Sequence, residues 1–246
     1  MPKFFVPKEQ IEEKEVTLLG ADAHHISYSL RMAVGDALSV MDGTGALLDC
    51  RIIQMDGERV RAEILSRDVA NTESPVAIHL YQAYPKSDKL EFIIQKAVEL
   101  GVSTVTPFES ERCIKRPKAE KVEKQTERQQ RIATEAAKQC GRATLPRIHA
   151  PISFSAMLEE AARASLVLFC YEGEGTCSVK EICLRHPMPD SVAVIVGCEG
   201  GFSLAEAEAA RAAGFCMTGL GKRILRCETA PLYALCALSY AYELEG

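Results

Sequence analysis

The sequence predicts an α/β protein in which a small β-rich domain precedes a larger domain built on a parallel sheet. Residues 1 to about 70 contain short apolar stretches joined by glycine turns, whereas apolar strands and amphipathic helices alternate after Pro75. The polar stretch 71–75 (Asn-Thr-Glu-Ser-Pro) separates the two patterns and is the best linker candidate. We therefore predict domains at residues 1–72 and 73–246, with helices covering both faces of the parallel sheet.

The first domain is predicted to form a small antiparallel barrel with one short helix. Asp42-Gly43-Thr44-Gly45 and Asp56-Gly57 are hairpin turns, because each lies between alternating apolar stretches. Asp22 is expected to cap a helix that runs through His24, His25, Leu30 and Arg31. The predicted strands are Val16–Leu19, Ala37–Met41, Ala46–Met55 and Arg59–Val69.

The second domain shows repeated strand–helix alternation. Ser87 is expected to cap a helix that Gly101 ends, and Ser203 is expected to cap the helix after the strand at 192–196. A short apolar stretch ending at Leu220-Gly221 and an Ala/Leu-rich helix close the chain. The other predicted elements are strands at Val76–Ala83, Val102–Phe108, Leu166–Tyr171 and Val192–Val196, and helices at Asp88–Leu100, Lys118–Gln139 and Ser155–Arg163.

Cysteine usage and hydropathy favour a cytoplasmic protein. The ten cysteines never form a Cys-x-x-Cys pair, which indicates reduced, mostly buried thiols and argues against a structural zinc site, so no metal is expected. No apolar stretch reaches eighteen residues, and the N-terminus lacks an apolar signal core, so neither a membrane span nor export is expected.

Charge is distributed unevenly along the chain. The net charge is −5, yet residues 112–147 hold eleven Lys/Arg against four Asp/Glu. This basic block predicts either a phosphate-binding face or a solvated, charge-rich helix, and charge alone does not separate the two.

Two glycine turns at the carboxyl ends of strands predict one ligand pocket. Residues 197–201 (Gly-Cys-Glu-Gly-Gly) follow the strand at Val192–Val196, and Leu220-Gly221 follows the next short strand. Open α/β sheets bind ligands at this edge, although a purely structural turn is an equal alternative for the first of them. The first strand–helix turn, Tyr84 to Asp88, contains no glycine, which argues against a dinucleotide site.

Charged and polar residues follow the second turn. Arg223, Arg226, Glu228 and Thr229 lie in an apolar neighbourhood, where such groups are costly unless they are paired or bind a ligand. Arg226 and Glu228 therefore either form a structural ion pair or belong to a binding site. Thr229 is also a candidate helix cap, since Pro231 suits the first turn of a helix.

These two turns together resemble the cofactor signature of SPOUT methyltransferases, and more closely that of the bacterial 16S ribosomal RNA uracil-N3 methyltransferases. The resemblance covers nearly the whole chain in the family's order. Cys198 stands where the family usually has proline, and Ser27 and Tyr28 stand where it usually has an arginine, which puts one RNA contact in doubt. The further matching segments are His25-Ile26 with Leu30-Arg31-Met32, Lys89-Leu90-Glu91-Phe92, Gln95-Lys96, Glu99-Leu100-Gly101-Val102, Glu111-Arg112-Cys113 and Gln139-Cys140-Gly141-Arg142.

The resemblance implies an N-terminal PUA-like barrel that binds RNA and a C-terminal SPOUT domain with a trefoil knot. It also implies a homodimer that binds S-adenosylmethionine and methylates a uridine of 16S ribosomal RNA in the small subunit. The implied cofactor-binding residues are Val196, Gly197, Glu199, Gly200, Gly201, Leu220, Gly221, Ile224, Leu225, Thr229 and Ala230. Arg226 is implied to stabilise the uracilate, with Glu199 or Glu228 accepting the proton or orienting Arg226. The candidate RNA contacts are His25, Arg31, Arg142 and the first residues of the basic block, Arg112, Lys115 and Arg116. The block also includes Lys118, Lys121 and Lys124 as candidate phosphate contacts, and Arg147 extends it.

Three alternatives remain open at this point. A SPOUT methyltransferase acting on another RNA site has the same signature, and a non-catalytic RNA-binding protein could retain the fold. A Rossmann-type nucleotide enzyme is disfavoured by the absence of early glycines.

Overall fold

A computed structural model describes residues 1–70, 72–117 and 119–243. It divides into two compact units, one formed by Met1–Glu73 with Ala137–Leu145 and the other by Ser74–Ala136 with Pro146–Gly246. Lys118, the predicted first residue of the long helix, lies outside the described residues. No helix in these described ranges is long and apolar enough to cross a membrane.

The first unit contains a five-stranded sheet. Its strand order is β1-β3-β4-β5-β2, with β1 parallel to β3 and the other neighbours antiparallel. Val60 and Ala62 face the core, Arg59 and Glu63 on either side of them are exposed, and Arg61 between them is half-buried, as the alternating pattern predicts. The four predicted strands are confirmed, and β1 is additional. The strands are β1 (Lys3–Phe5), β2 (Glu15–Leu19), β3 (Ala37–Met41), β4 (Ala46–Met55) and β5 (Arg59–Val69).

The helix of this unit begins earlier than predicted, and Asp22 does not cap it. Helix α1 spans Gly20–His24 with Leu19 at the N-cap position, so Asp22 lies inside the first turn. There its carboxylate forms an ion pair with Lys138 at 3.3 Å. The helix continues as a π-helical turn at 25–29 and ends before Arg31, whose φ is 53°.

The second unit is built on an eight-stranded sheet in which every pairing is parallel, which confirms the prediction. The path is β11-β13-β10-β12-β6-β7-β8, and β9 also pairs with β7. All of β10 and residues 192–196 of β12 are buried, which explains their unbroken apolar sequences. The strands are β6 (Ala77–Ala83), β7 (Thr104–Glu109), β8 (Arg147–Ile148), β9 (Ile152–Ser153), β10 (Leu166–Cys170), β11 (Cys177–Ser178), β12 (Ser191–Val196) and β13 (Cys216–Gly219).

Six longer helices accompany this sheet. Five of them were predicted, and the three with predicted bounds have revised ends. The helices are α2 (Lys89–Glu99), α3 (Val122–Cys140), α4 (Phe154–Ala161), α5 (Val179–Arg185), α6 (Leu204–Ala212) and α7 (Thr229–Tyr242), with a short 3-10 turn at Ala119–Lys121 before α3. Helix α5 was not predicted, although Ser178 and Glu181 form a capping box at its start.

The predicted helix caps had different outcomes. Ser203 is confirmed as a cap, because its hydroxyl accepts the Glu206 N–H at 3.3 Å within a capping box. Ser87 is wrong as a cap: its φ is 55°, and α2 begins two residues later with Asp88 at the N-cap position. Thr229 is the first residue of α7 rather than its cap, which is Glu228.

The cysteines are free thiols, and burial was overestimated for some of them. Five of the ten are buried, including Cys170, whereas Cys216 is half-buried and Cys236 is exposed. Cys236 is exposed because α7 is apolar on most of its circumference and packs only part of it against the unit.

Candidate active site

A pocket of about 540 Å³ lies at the carboxyl ends of β10, β12 and β13. Its walls are the turn after β12, the turn after β13 and the loop after β10 that carries Tyr171, Glu172 and Thr176. This is the edge where parallel sheets bind ligands, and the volume is typical of a small-molecule site. Gly200, Glu228 and Thr229 do not line the pocket, whereas Val196, Leu220, Ile224 and the other predicted cofactor-binding residues do.

The first wall requires glycine at two positions. Gly201 has a φ of 63°, and a Cβ on Gly197 would lie 3.2 Å from the Cα of Gly201 and from the Phe202 ring. The Gly197 carbonyl accepts a hydrogen bond from Gln82 at 3.2 Å, and the Gly200 carbonyl accepts one from Arg112 at 2.9 Å. The turn is therefore fixed from outside and leaves its inner backbone open to the pocket.

The second wall also depends on glycine. A Cβ on Gly219 would lie 2.9 Å from the Thr176 hydroxyl oxygen, so this strand end packs directly against the loop after β10. Gly221 has a φ of 104°, with open space where a Cβ would be. Its requirement for glycine is therefore conformational rather than steric.

A lysine that was not among the predicted site residues connects the two walls. The Lys89 ammonium lies 3.1 Å from a carboxylate oxygen of Glu199 and 3.0 Å from one of Glu228. The hydrogen bonds that the Lys89 ammonium donates, first to Glu228 and then to Glu199, hold the pKa of Lys89 above its usual range. Glu228 therefore pairs with Lys89, and an Arg226–Glu228 ion pair is absent from the described residues.

Both carboxylates remain ionised in this arrangement. Partial burial raises the pKa of Glu199 and of Glu228, but hydrogen bonds, including those from Lys89, bring both below the usual range. Glu199 also accepts the backbone N–H of Lys86 at 3.1 Å, and Glu228 accepts the thiol of Cys227 at 3.2 Å. Arg226 is exposed and lines the pocket, so its guanidinium is available to a ligand.

Cys198 lies in a thiol pair beneath the first wall. The Ser110 hydroxyl lies 3.5 Å from the sulfur of Cys113 and 4.0 Å from that of Cys198, and both cysteines are buried. The hydrogen bond from Cys198 lowers the pKa of Cys113 to about 6, while the same contact raises that of Cys198.

The pocket suits S-adenosylmethionine in size and chemistry. Backbone groups at the glycine turns offer hydrogen bonds, the ring of Phe202 and the side chains of Val196 and Leu225 offer apolar contact, and the carboxylates of Glu172 and Glu199 are also in the lining. Within the described ranges, no cluster of three or more His, Cys, Asp or Glu could hold a metal ion.

Comparison with known proteins supports this interpretation of the pocket. Residues 72–239 match the model of an RNA methyltransferase domain, and residues 18–65 match that of an RNA methyltransferase PUA domain. The ribosomal RNA small subunit methyltransferase E of Bacillus subtilis strain 168 is 35% identical, covering 99% of this chain and 98% of the relative. The chain belongs to the ribosomal RNA small subunit methyltransferase E family.

Other members of the ribosomal RNA small subunit methyltransferase E family agree in sequence and in fold. The Synechocystis protein is 34% identical over 98% of this chain and 78% of its own length. The crystal structure from Neisseria gonorrhoeae, bound to S-adenosyl methionine, is 35% identical, with a TM-score of 0.85 and 97% of each chain covered.

The predicted RNA-contacting residues of this family member lie in both units. In the second unit, Arg112 bonds to the first glycine turn, Lys115 donates to the Ser87 carbonyl at 2.8 Å, and Arg116 is exposed beside Glu109 at 3.8 Å. The first two therefore also support the pocket from outside. In the first unit, His25 and Arg31 are exposed.

Arg142 requires a correction. Arg142 is only 4% exposed. Its guanidinium Nε donates hydrogen bonds to the two carboxylate oxygens of Glu73, at distances of 3.3 and 3.1 Å. An arginine held this way within the first unit has almost no surface to present to RNA, so we assign it to the packing of that unit. Sequence alone did not distinguish it from the exposed arginines, because the partner is 69 residues away.

Proposed function

We propose that this protein transfers a methyl group from S-adenosylmethionine to N3 of a uridine in 16S ribosomal RNA of the small subunit. The observation that carries the proposal is the pocket whose two walls are glycine turns at the carboxyl ends of β12 and β13. Full-length similarity to ribosomal RNA small subunit methyltransferase E proteins, and the S-adenosyl methionine bound to one solved relative, support the substrate and the cofactor.

The cofactor would contact the backbone of both walls. Gly197, Gly201, Leu220 and Gly221 line the pocket, and Val196, Ile224, Leu225 and Ala230 complete its apolar surface. Gly200 and Thr229 belong to the same turns and would act by shaping them. Bound S-adenosylmethionine supplies a methyl group already activated by the sulfonium.

The chain's own residues would hold the uracil and receive its proton. N3 lies on the base-pairing edge, so the base must be unpaired when it reaches the pocket. Its N–H proton must leave before the nitrogen lone pair forms the bond to the methyl group. The exposed guanidinium of Arg226 suits the uracil oxygen on which negative charge develops. Glu199 and Glu228, both ionised, are the candidate proton acceptors.

A labelling assay tests this function. Purified protein, labelled methyl donor, and either naked 16S RNA or small subunits should yield N3-methyluridine on nucleoside analysis. Arg226→Ala should abolish the product while calorimetry still shows S-adenosylhomocysteine binding. If another methylated nucleoside forms, the substrate assignment is wrong; if cofactor binding is lost as well, Arg226 serves the cofactor or the fold.

RNA binding and domain roles complete the proposal. Residues 1–72 would bind RNA as a PUA-like domain, and residues 73–246 would carry out the reaction. The first would contribute His25 and Arg31, and the second Arg116 with the exposed lysines Lys121 and Lys124 at the start of α3. Such phosphate contacts position the RNA rather than read its sequence.

The active form would be a homodimer with a trefoil knot near its C-terminus. Helix α7 supports the dimer, because Tyr233, Cys236 and Tyr240 form an exposed apolar stripe at helical spacing, with Tyr240 70% exposed. The knot is expected from the resemblance to SPOUT methyltransferases. Light scattering would measure the dimer, and Tyr240→Glu should shift it toward monomer.

A further inference from the structure

Lys89 is the point at which three separate segments of the second unit meet. It is the first residue of α2, and its ammonium contacts Glu199 in the first glycine turn and Glu228 at the N-cap position of α7. The two carboxylates lie 29 residues apart in sequence, on opposite walls of the pocket region. The side chains of all three residues are between a fifth and a third exposed, so the group is not part of the core, and Lys89 and Glu199 also line the pocket.

The charges make Lys89 necessary to this geometry. Each carboxylate lies about 3 Å from the same ammonium, so without it two negative charges would be left within a few ångströms of each other. Like charges at this separation repel, and the elements that carry them move apart when no cation compensates. The titratable groups that face one another here are Lys89, Glu199, Glu228 and Cys227.

The two walls depend on Lys89 to different extents. Glu199 has a second anchor, because the Lys86 N–H lies 3.1 and 3.3 Å from its two oxygens. Glu228 receives the Cys227 thiol of its own segment, which does not connect that segment to α2. Loss of the ammonium therefore releases the second wall more than the first.

We propose that Lys89 is a positioning residue that joins the two cofactor turns to each other and, through Glu228, places Arg226 for the reaction. Arg226 lies two residues before Glu228, and its carbonyl accepts the N–H groups of Thr229 at 2.8 Å and Ala230 at 2.9 Å. A carboxylate held at the N-cap position therefore fixes the segment from 226 to 230. The effect on cofactor binding is independent of the RNA substrate, whereas the effect through Arg226 rests on the proposed function.

Calorimetry with S-adenosylhomocysteine tests the link between the walls. Lys89→Met should weaken binding roughly tenfold, and Lys89→Arg should recover most of the loss because a guanidinium can also bridge two carboxylates. Lys86→Met is the matched control: it removes a nearby exposed lysine whose backbone N–H, not its side chain, contacts Glu199. This control should retain wild-type affinity.

A double-mutant cycle distinguishes a direct link between Lys89 and Glu228 from a general loss of stability. Lys89→Met and Glu228→Gln should each weaken binding, and their combination should weaken it by much less than the product of the two factors. The proposal would be overturned if the double variant weakened binding by nearly the product of the two single factors, or if Tm fell without a change in affinity. Carbon-13 NMR of labelled glutamates should show two carboxyl titrations moving to higher pH in Lys89→Met, and unchanged titrations would also contradict it.

Turnover at saturating cofactor tests the placement of Arg226. Lys89→Met leaves both candidate proton acceptors in place, yet it should lower kcat about tenfold, and Lys89→Arg should recover most of that loss. An unchanged kcat in Lys89→Met would refute the link to Arg226 and leave the calorimetric result standing. If the wild-type protein produces no methylated uridine, the proposed function fails, while the binding cycle still measures the role of Lys89.

Discussion

Gly221→Ala isolates the contribution of backbone conformation to cofactor binding. Gly221 has a φ of 104°, and nothing lies within 4 Å of the position that a Cβ would take. An alanine there creates no clash, but it must either adopt a conformation that L-residues avoid or rotate the turn away from its present shape. A non-glycine residue in such a region costs on the order of 1–3 kcal/mol.

The expected loss of affinity depends on how much of this strain the free protein relieves by changing the shape of the turn. If about 1–2 kcal/mol is relieved in the free protein but present in the cofactor-bound turn, S-adenosylhomocysteine binds about 5 to 30 times more weakly. Calorimetry measures the affinity directly, and chemical denaturation measures the free energy of unfolding of the same sample.

Gly214→Ala is the matched control for this prediction. Gly214 follows α6 with a φ of 79°, also has open space at the Cβ position, and does not line the pocket. It should lose about 1 kcal/mol of stability with unchanged affinity, as expected for alanine in a left-handed conformation. Equal affinity in Gly221→Ala and Gly214→Ala, at reduced stability in both, would refute the assignment of Gly221 to the cofactor wall.

Three further predictions concern packing, RNA and pH. Arg142→Met should lower the free energy of unfolding by about 2–3 kcal/mol in chemical denaturation, less than for a fully buried pair because Glu73 remains 27% exposed. Removing Arg116, Lys121 and Lys124 together should reduce the log–log salt slope of RNA binding by about two to three, whereas Arg142→Met should leave the slope unchanged; no change in the triple variant would favour a merely solvated helix. Because the pKa of Cys113 is lowered from 9.0 to about 6 in the folded protein, its contribution to stability is present above pH 9 and is lost as the pH falls through about 6. The free energy of unfolding of the wild type relative to Cys113→Ser should therefore rise from pH about 6 to about 9, and a flat difference would contradict the thiol-pair geometry.

Local patterns were sufficient for most of the elements and for the position of the pocket. The buried strands β10 and β12 are unbroken apolar sequences, and the hairpins of the first unit carry glycine at their turns. The glycine requirements at 197, 201 and 221 are also local, because they follow from φ above zero or from contacts within the same turn. The requirement at Gly219 is not local, because it comes from Thr176, 43 residues away. Only family resemblance, however, indicated what the pocket binds.

Helix starts were less predictable than strands. Ser203 and Ser178 both begin capping boxes, and a short local motif suffices to recognise them. Ser87 and Asp22 are equally plausible caps by residue type but do not act as caps, because the preceding strand and turn set where each helix enters.

The sequence by itself determined the parallel sheet, the β-rich first unit and the two glycine walls, since each depends on periodicity or on backbone conformation over a few residues. Only the tertiary structure decided the partners of the charged residues. It pairs Lys89 with Glu199 and Glu228 instead of leaving Arg226 to neutralise Glu228, and it buries Arg142 against Glu73. These pairings join residues between 69 and 139 positions apart, and Coulomb attraction depends on distance in space, which no local pattern encodes.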